Sequence, residues 1–321
     1  MRFDVFNGDA DGLCALQQLR LAEPAQTQLV TGAKRDIALL ARSELHAAAA
    51  DDVVTVLDIS LDRNRAALDA LLARDVQVIW FDHHFAGAIP AHARLDAHID
   101  TAPQVCTSIL VDRHLGGRFR AWAVAAAFGD GLAGAAQVLA ATRSFSNADI
   151  AQLRELGEAL NYNGYGETEA DLMIHPAALY ALMREESDAL RFAAEAPIVH
   201  RLSAAKRTDL AAARALAPVH ENAGTAVFVL PDAAWSRRIS GTFAHALAIE
   251  AARRAHAVLT PNARGGYVVS VRAPRARPQG ADAFCRGFGG GGRSGAAGID
   301  HLPAIELNAF VARFSATPWA Q

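Results

Sequence analysis

Cysteine is scarce in this chain of 321 residues: Cys14, Cys106 and Cys285 are odd in number and too far apart for a paired CxxC site. That excludes a disulfide framework and a cysteine-based zinc site, and the three thiols are expected to be reduced. Long apolar runs are also missing. Hydrophobic residues make up 52% of the chain, yet no stretch reaches the roughly 18 uncharged apolar residues that a membrane span needs. Asp4, Asp9 and Asp11 interrupt the place where a signal peptide would have its apolar core, so the cytoplasm is the expected location. Aromatic residues are few, at 7%, and the net charge of -3 excludes a globally basic coat for nucleic acid. Against that background one basic stretch stands out: between Arg264 and Arg293 there are six arginines and a single acid, Asp282, which marks a local anion site.

The apolar pattern that is present alternates between short strands and helices. Residues 2–6 read as a strand, and apolar positions at helical spacing run from Leu13 to Leu19. Gln28–Thr31 reads as a second strand, Arg35–Ala49 as a helix and Asp52–Asp58 as a third strand. A helix is expected over residues 62–74, and then comes the run Val76–Trp80 leading into Phe81-Asp82-His83-His84-Phe85. Such alternation predicts a parallel sheet with helices on both faces and with its acids at the C-terminal strand ends, where sheets of this kind bind ligands. After Thr107 the pattern is mostly helical as far as about Ala215. Thr225–Leu230 and Gly266–Arg272 then read as strands, with a helix over Ser240–Ala255 between them. The expected architecture is therefore an N-terminal α/β domain over 1–195, a helical connector over 196–222 punctuated by Pro197 and Pro218, and a smaller C-terminal α/β domain over 223–321. The active site is expected in the cleft between the two domains.

Four acidic features fall at element ends. Asp9 and Asp11 share one tight turn between Gly8 and Gly12, Asp58 follows a buried apolar run, Asp82-His83-His84 ends another, and Asp130 lies between Gly129 and Gly131 after an Ala-rich helix. Taken singly, each has a plain explanation in turn or helix-cap chemistry. Taken together, Asp9, Asp11, Asp58, His83 and Asp130 form a ligand set dominated by carboxylates. Such a set suits Mn²⁺ or Mg²⁺ better than Zn²⁺, and it is large enough for two ions, with Asp58 as the expected bridge. The remaining histidines, among them His92, His98 and His114, lack metal-ligand spacing and read as surface or core residues.

At these residues the chain resembles the DHH phosphoesterase family, named for its Asp-His-His motif. The resemblance extends to the glycine-rich stretch Gly287–Gly298 and to Ser270-Val271-Arg272, which look like the DHH-associated C-terminal domain. It implies two Mn²⁺ ions, with Mg²⁺ as the alternative, on Asp9, Asp11, Asp58, His83 and Asp130. It further implies Asp82 orienting the histidines and His84 facing the substrate phosphate or a water; Thr107-Ser108 is read, apart from the resemblance, as packing behind the metal site. Arg272, Arg293 and the backbone of Gly290, Gly291 and Gly292 would grip the substrate. Two positions depart from many relatives: Val5 and Asn7 precede the paired acids where His or Asp is common, and Arg293 stands where the glycine signature commonly ends in His. Arginine cannot donate a proton near neutral pH but holds phosphate with a planar fork of donors.

The implied activity is metal-dependent hydrolysis of phosphodiester bonds in short single-stranded oligonucleotides, or of phosphate esters in small nucleotides, by an activated water. The length leaves nothing over for an oligonucleotide-binding barrel, and few aromatics could stack bases, so a short substrate is expected. Alternatives are a hydrolase of pyrophosphate, polyphosphate or cyclic dinucleotides, and a nucleotide-binding module with a weakened catalytic site. A membrane partner is not expected, and a homodimer is left open.

Overall fold

Short runs rich in Val, Phe, Leu and Trp form the first sheet. Its strands are β1 (Arg2–Asn7), β2 (Gln28–Gly32), β3 (Val53–Leu57), β4 (Gln77–Asp82) and β5 (Leu95–Ile99). All are parallel, in the order β2-β1-β3-β4-β5. Successive side chains of a strand face opposite sides, so the sheet feeds two cores. Phe6, Leu57 and Phe81 pack on one side, against α1 (Ala10–Ala22) and helices later in the chain, while Val5, Val56 and Trp80 pack on the other with α2 (Arg65–Leu72) and the loop around Leu39 and Leu45. The first core is completed by α3 (Thr107–His114), α4 (Arg120–Gly129), α5 (Ala133–Ala141), α6 (Asn147–Gly164), α7 (Pro176–Met183) and α8 (Ala189–Glu195).

The computed structural model describes residues 1–319 and separates into two compact units, Met1–Ala204 and Ala205 onward. The division falls within α9 (Pro197–Arg214), so the stretch expected as a connector holds a long helix that begins on Pro197. A proline at the first helical position sacrifices only an N–H that would have no partner within the helix. The second unit contains β6 (His220–Glu221), β7 (Thr225–Val229), α10 (Ala234–Glu250), β8 (Ala255–Asn262), β9 (Gly266–Arg272), α11 (Ala281–Arg286), β10 (Gly291–Arg293), β11 (Ala296–Pro303) and α12 (Leu307–Ala316). Its sheet has the order β10-β11-β9-β8-β7-β6, with only β7 and β8 parallel, joined through α10. Phe284, Phe310, Phe314 and Trp319 build its core, so these aromatics serve packing. Among the described residues no helix is long and apolar enough to cross a membrane.

Three readings of local structure require correction. The helix expected over Arg35–Ala49 is instead two short 3-10 turns, Leu39–Ala41 and Ser43–Ala47, separated by an extended Arg42. Its buried residues Leu39, Leu40, Leu45 and Ala48 do not fall on one helical face, and the Asn64 amide holds the segment through Ile37 O at 2.7 Å and Leu40 N at 3.4 Å. The helix expected over Ser240–Ala255 starts at Ala234 and stops at Glu250, because Ala255 opens β8. β5 and β8 themselves escape sequence reading: the first is half-buried and short, and the second begins Ala-His-Ala, which carries no strand signal.

Candidate metal centre

The strand order reverses between β1 and β3, which makes their C-terminal ends the point where a doubly wound sheet opens a crevice. Asp9 follows β1, Lys34 follows β2, Asp58 follows β3, and Asp82-His83-His84 closes β4. Thr107 opens α3 beyond β5, and Asp130 caps the C-terminus of α4. Every strand of the sheet thus sends a residue to the same edge. Asp58 takes a left-handed backbone, φ 60°, immediately after β3, a conformation that non-glycine residues adopt rarely and Asp more readily than most. The turn is held by a bond from Asp58 N to Phe81 O at 3.0 Å. In turn, Phe81 is fixed by stacking on His98 at 4.3 Å and by an edge contact with His114 at 5.2 Å.

Two of the carboxylates close helix N-termini. Asp9 is the N-cap of α1, its Oδ1 accepting from Asp11 N at 3.0 Å and Gly12 N at 3.2 Å. Asp11 accepts from the first amides of α3, Thr107 N on Oδ2 and Ser108 N on Oδ1, both at 2.7 Å. Helix N-termini favour such negative charge. Thr107 Oγ1 also donates to Asp58 Oδ1 at 3.2 Å, which puts Thr107-Ser108 directly behind the acidic group. The helix-cap explanation of Asp9 is therefore correct and compatible with a second role, since each carboxylate oxygen has more than one lone pair.

His83 Nδ1 lies 3.0 Å from Val105 O and must donate its proton there. That leaves Nε2 as the nitrogen that can hold either a proton or an ion, and it lies 3.4 Å from Asp58 Oδ1 and 4.0 Å from both Asp11 Oδ2 and Asp130 Oδ2. An imidazole held by a carbonyl on one nitrogen and turned toward carboxylates with the other has the arrangement of a metal ligand. Asp82, fully buried, is engaged with the other histidine: its Oδ1 lies 2.6 Å from His84 Nδ1. Asp82 thus orients His84, while His83 is oriented by Val105. His84 remains 44% exposed, with its Nε2 left for other partners. Ligand atoms of Asp58, His83 and His84 lie within 4.8 Å of one another, a spacing that fits one ion. The donor chemistry, carboxylate oxygens with imidazole nitrogen, fits a divalent cation. Asn7 Oδ1 is buried and has no protein partner, which also suits an atom that meets a water or an ion.

The electrostatics of the bare protein report the same demand for positive charge. Burial, and then the neighbouring Asp11 and Asp9, push the Asp58 carboxyl well above the usual carboxylate range. Burial pushes Asp130 up as well, with Lys34 opposing. Burial works against the charged form of His83, but Asp58, Asp11 and Asp130 outweigh it and push its pKa up to about 10. Like-charged carboxylates in one dry site cannot all ionise without cations.

One participant escapes sequence reading altogether. Lys34 Nζ is hydrogen-bonded to Asp9 Oδ2 and lies 3.5 Å from Asp130 Oδ1. Burial disfavours its charge, but Asp9, Tyr165, Asp130 and Asp58 hold the ammonium well above the ordinary lysine range. Asp9 ends below the ordinary range because Lys34 and the Gly12 amide outweigh its burial. The one available signal was position: Lys34 lies two residues past the end of β2, in a sheet whose strands β1, β3 and β4 lead into acids.

In the second unit, Arg293 pairs across the sheet with Ala296, which pairs with Arg272. Directly opposed residues share a face, so both guanidinium stems rise from one row on the same side, about 10 Å apart across two strand spacings. Arg293 is exposed, and no hydrogen bond or ion pair holds it among the described residues. Arg272 Nη1 donates to Val271 O at 3.0 Å. Of the three adjoining glycines, Gly290 and Gly292 are required by the hairpin, since a Cβ would strike Gly298 O or the Ala297 backbone. A Cβ on Gly291 would meet nothing within 4 Å. The fold alone explains two of these glycines and leaves Gly291 unexplained.

No protein-family model and no curated protein matches the chain. Solved structures do. An exonuclease RecJ bound to manganese aligns with a TM-score of 0.58 and 22% identity over 99% of this chain and 91% of that one. RecJ in complex with Mn²⁺ from Thermus thermophilus aligns with a TM-score of 0.61 and 22% identity over 98% of this chain but only 51% of that one, so the present chain spans about half its length. PggH, a pGpG-specific phosphodiesterase from Vibrio cholerae, aligns with a TM-score of 0.56 and 13% identity over 98% of this chain and 99% of that one. The Asp-His-His strand end, the acids gathered beside it and these likenesses lead to one conclusion: the chain has the two-domain α/β fold of the DHH phosphoesterases, shared with RecJ and PggH.

Proposed function

We propose that the protein is a metal-dependent phosphoesterase that cleaves short oligonucleotides, down to dinucleotides, or small phosphorylated nucleotides. The observation that carries this reading is His83: its Nδ1 is fixed on Val105 O, and its Nε2 faces Asp58, Asp11 and Asp130. Mn²⁺ is the favoured ion and Mg²⁺ the alternative, in keeping with the carboxylate-rich donors and with the ions in the RecJ structures. Bound at this site, such an ion supplies Lewis acidity and an activated water for attack on phosphorus.

The protein's own residues do the remainder. Asp58, Asp11, Asp130 and His83 would hold the cation, with Asp9 joining through whichever oxygen Lys34 leaves free. Because Asp82 fixes His84 through Nδ1, the exposed edge of His84 can contact a phosphoryl oxygen and pass a proton to the leaving group. Arg293 and Arg272, in one row, grip a further phosphate by charge-assisted bonds, and the backbone at Gly291 allows close approach. A short substrate is supported by the likeness to PggH over nearly the full length of both chains and by aromatics committed to packing. A nucleotide-binding module with attenuated hydrolysis is a second reading, favoured by the contact of Lys34 with Asp9.

The test is a panel of dinucleotides, short oligonucleotides, cyclic dinucleotides, adenosine bisphosphate and pyrophosphate, incubated with wild type and Asp58→Asn in Mn²⁺. Turnover of a linear dinucleotide by wild type and not by the variant supports the reading. Turnover of pyrophosphate alone, or tight binding without turnover, would overturn it.

A further inference from the structure

We propose that Lys34 is a built-in cation that takes one of the two positions this acidic site offers, so that the chain binds a single divalent ion where the ligand count would suggest two. The proposal rests on the metal-dependent reading of the same site and narrows it.

Lys34 is placed by its whole residue and not only by its charge. Its backbone N–H donates to Gly164 O, at the end of α6, at 2.8 Å, and its carbonyl lies 3.5 Å from Asn7 Nδ2. Nζ bonds Asp9 Oδ2, approaches Asp130 Oδ1 at 3.5 Å, and sits 5.4 Å from the centre of the Tyr165 ring. Its side chain is only 24% exposed. A lysine tied at backbone and tip has little freedom to swing away when ions arrive.

The donors divide accordingly. Asp9 has one oxygen on two amides of α1 and the other on Lys34. The donors not touched by Lys34 gather around His83 Nε2, which is 3.4 Å from Asp58 Oδ1 and 4.0 Å from Asp11 Oδ2. Asp130 is shared, with Oδ1 toward Lys34 and Oδ2 toward His83. Charge leads the same way. Four carboxylates meet three positive charges when Lys34 accompanies one divalent ion, and five when it accompanies two, so a second ion would turn a site left with one net negative charge into one with net positive charge, beside an ammonium. Functionally, Lys34 would do what one ion does elsewhere: neutralise a non-bridging phosphoryl oxygen, as a point charge held in place by Asp9 and Asp130.

The experiment measures bound Mn²⁺ per chain by metal analysis after gel filtration, together with the EPR spectrum, for wild type, Lys34→Met and Lys34→Arg. Expected are one Mn²⁺ in wild type and Lys34→Arg, with an uncoupled spectrum, and two in Lys34→Met, with the signature of a spin-coupled pair. Two ions in wild type would overturn the proposal whether or not any variant folds, since Lys34 would then have yielded its place, with Asn7 Oδ1 as a ready ligand. One ion in both wild type and Lys34→Met would overturn it too, because the lysine would not be what excludes the second. No bound ion in wild type would instead refute the metal-dependent reading itself.

Discussion

The two units handle charge in opposite ways. The first buries Asp9, Asp11, Asp58 and Asp82 almost completely at the end of a parallel sheet, each fixed by helix amides, a hydroxyl or an imidazole. The second unit sets Arg293 on an exposed hairpin with only register to align it with Arg272. Buried, repelling carboxylates stay in place only because the fold forces them, and they gain by binding cations. An exposed guanidinium such as that of Arg293 costs the fold little, because water still solvates it. On the function proposed above, the contrast would divide chemistry from grip.

Asp58→Asn would break the contrast most severely. Loss of the central ligand should remove several kcal/mol of transition-state stabilisation, on the order of 10³-fold in kcat. The same change should raise the melting temperature of the metal-free protein, because burial beside Asp11 and Asp9 disfavours an ionised Asp58. Calorimetry without metal and turnover with Mn²⁺ check both halves, and a lower melting temperature would contradict the electrostatic account.

A smaller effect concerns acid. His256, buried in β8, is drawn down to about 4, by burial and then by Arg254, with Glu250 and Glu221 opposing. Its pKa in the folded state lies below the unfolded value, so the stability it permits is present above about pH 6.5 and is lost as pH falls toward 4. The loss should reach about 3 kcal/mol in the second unit. Denaturant midpoints at pH 7 and pH 4.5, compared with His256→Leu, would show it, and equal slopes in both proteins would exclude it.

Arg293→Ala should raise KM by roughly 10- to 100-fold, the worth of one charge-assisted bond, and leave kcat nearly intact. A fall in kcat of similar size would erase the division between chemistry and grip. Gly291→Ala is the mildest change: the melting temperature should stay as it is, since the Cβ meets nothing, and KM should rise a few-fold if backbone approach matters. An unchanged KM would return that glycine to the surface.

Much of the first unit was legible because buried apolar runs that stop at an acid are a strong pattern: β1, β3 and β4 each carry it, and Asp9, Asp58 and Asp82-His83 lie at their ends. Lys34 was illegible because a lysine in a loop after a strand is ordinarily solvated, and only tertiary packing sets its ammonium on Asp9. The same holds for Val105, whose carbonyl, not its side chain, orients His83. The helix expected over Arg35–Ala49 failed where propensity lacked a single apolar face to support it.

The clasp between Asp11 and α3 makes the site a gauge of itself. The two backbone amides that Asp11 receives, from Thr107 and Ser108, are the opening donors of a helix. An ion that draws on the Asp11 oxygens weakens both bonds together, so the amide proton resonances of Thr107 and Ser108 should move upfield in step with loading of diamagnetic Mg²⁺. Two nuclei deep in the first unit thus count ions without any substrate being present, and a titration that left both unmoved would show that Asp11 serves the helix alone.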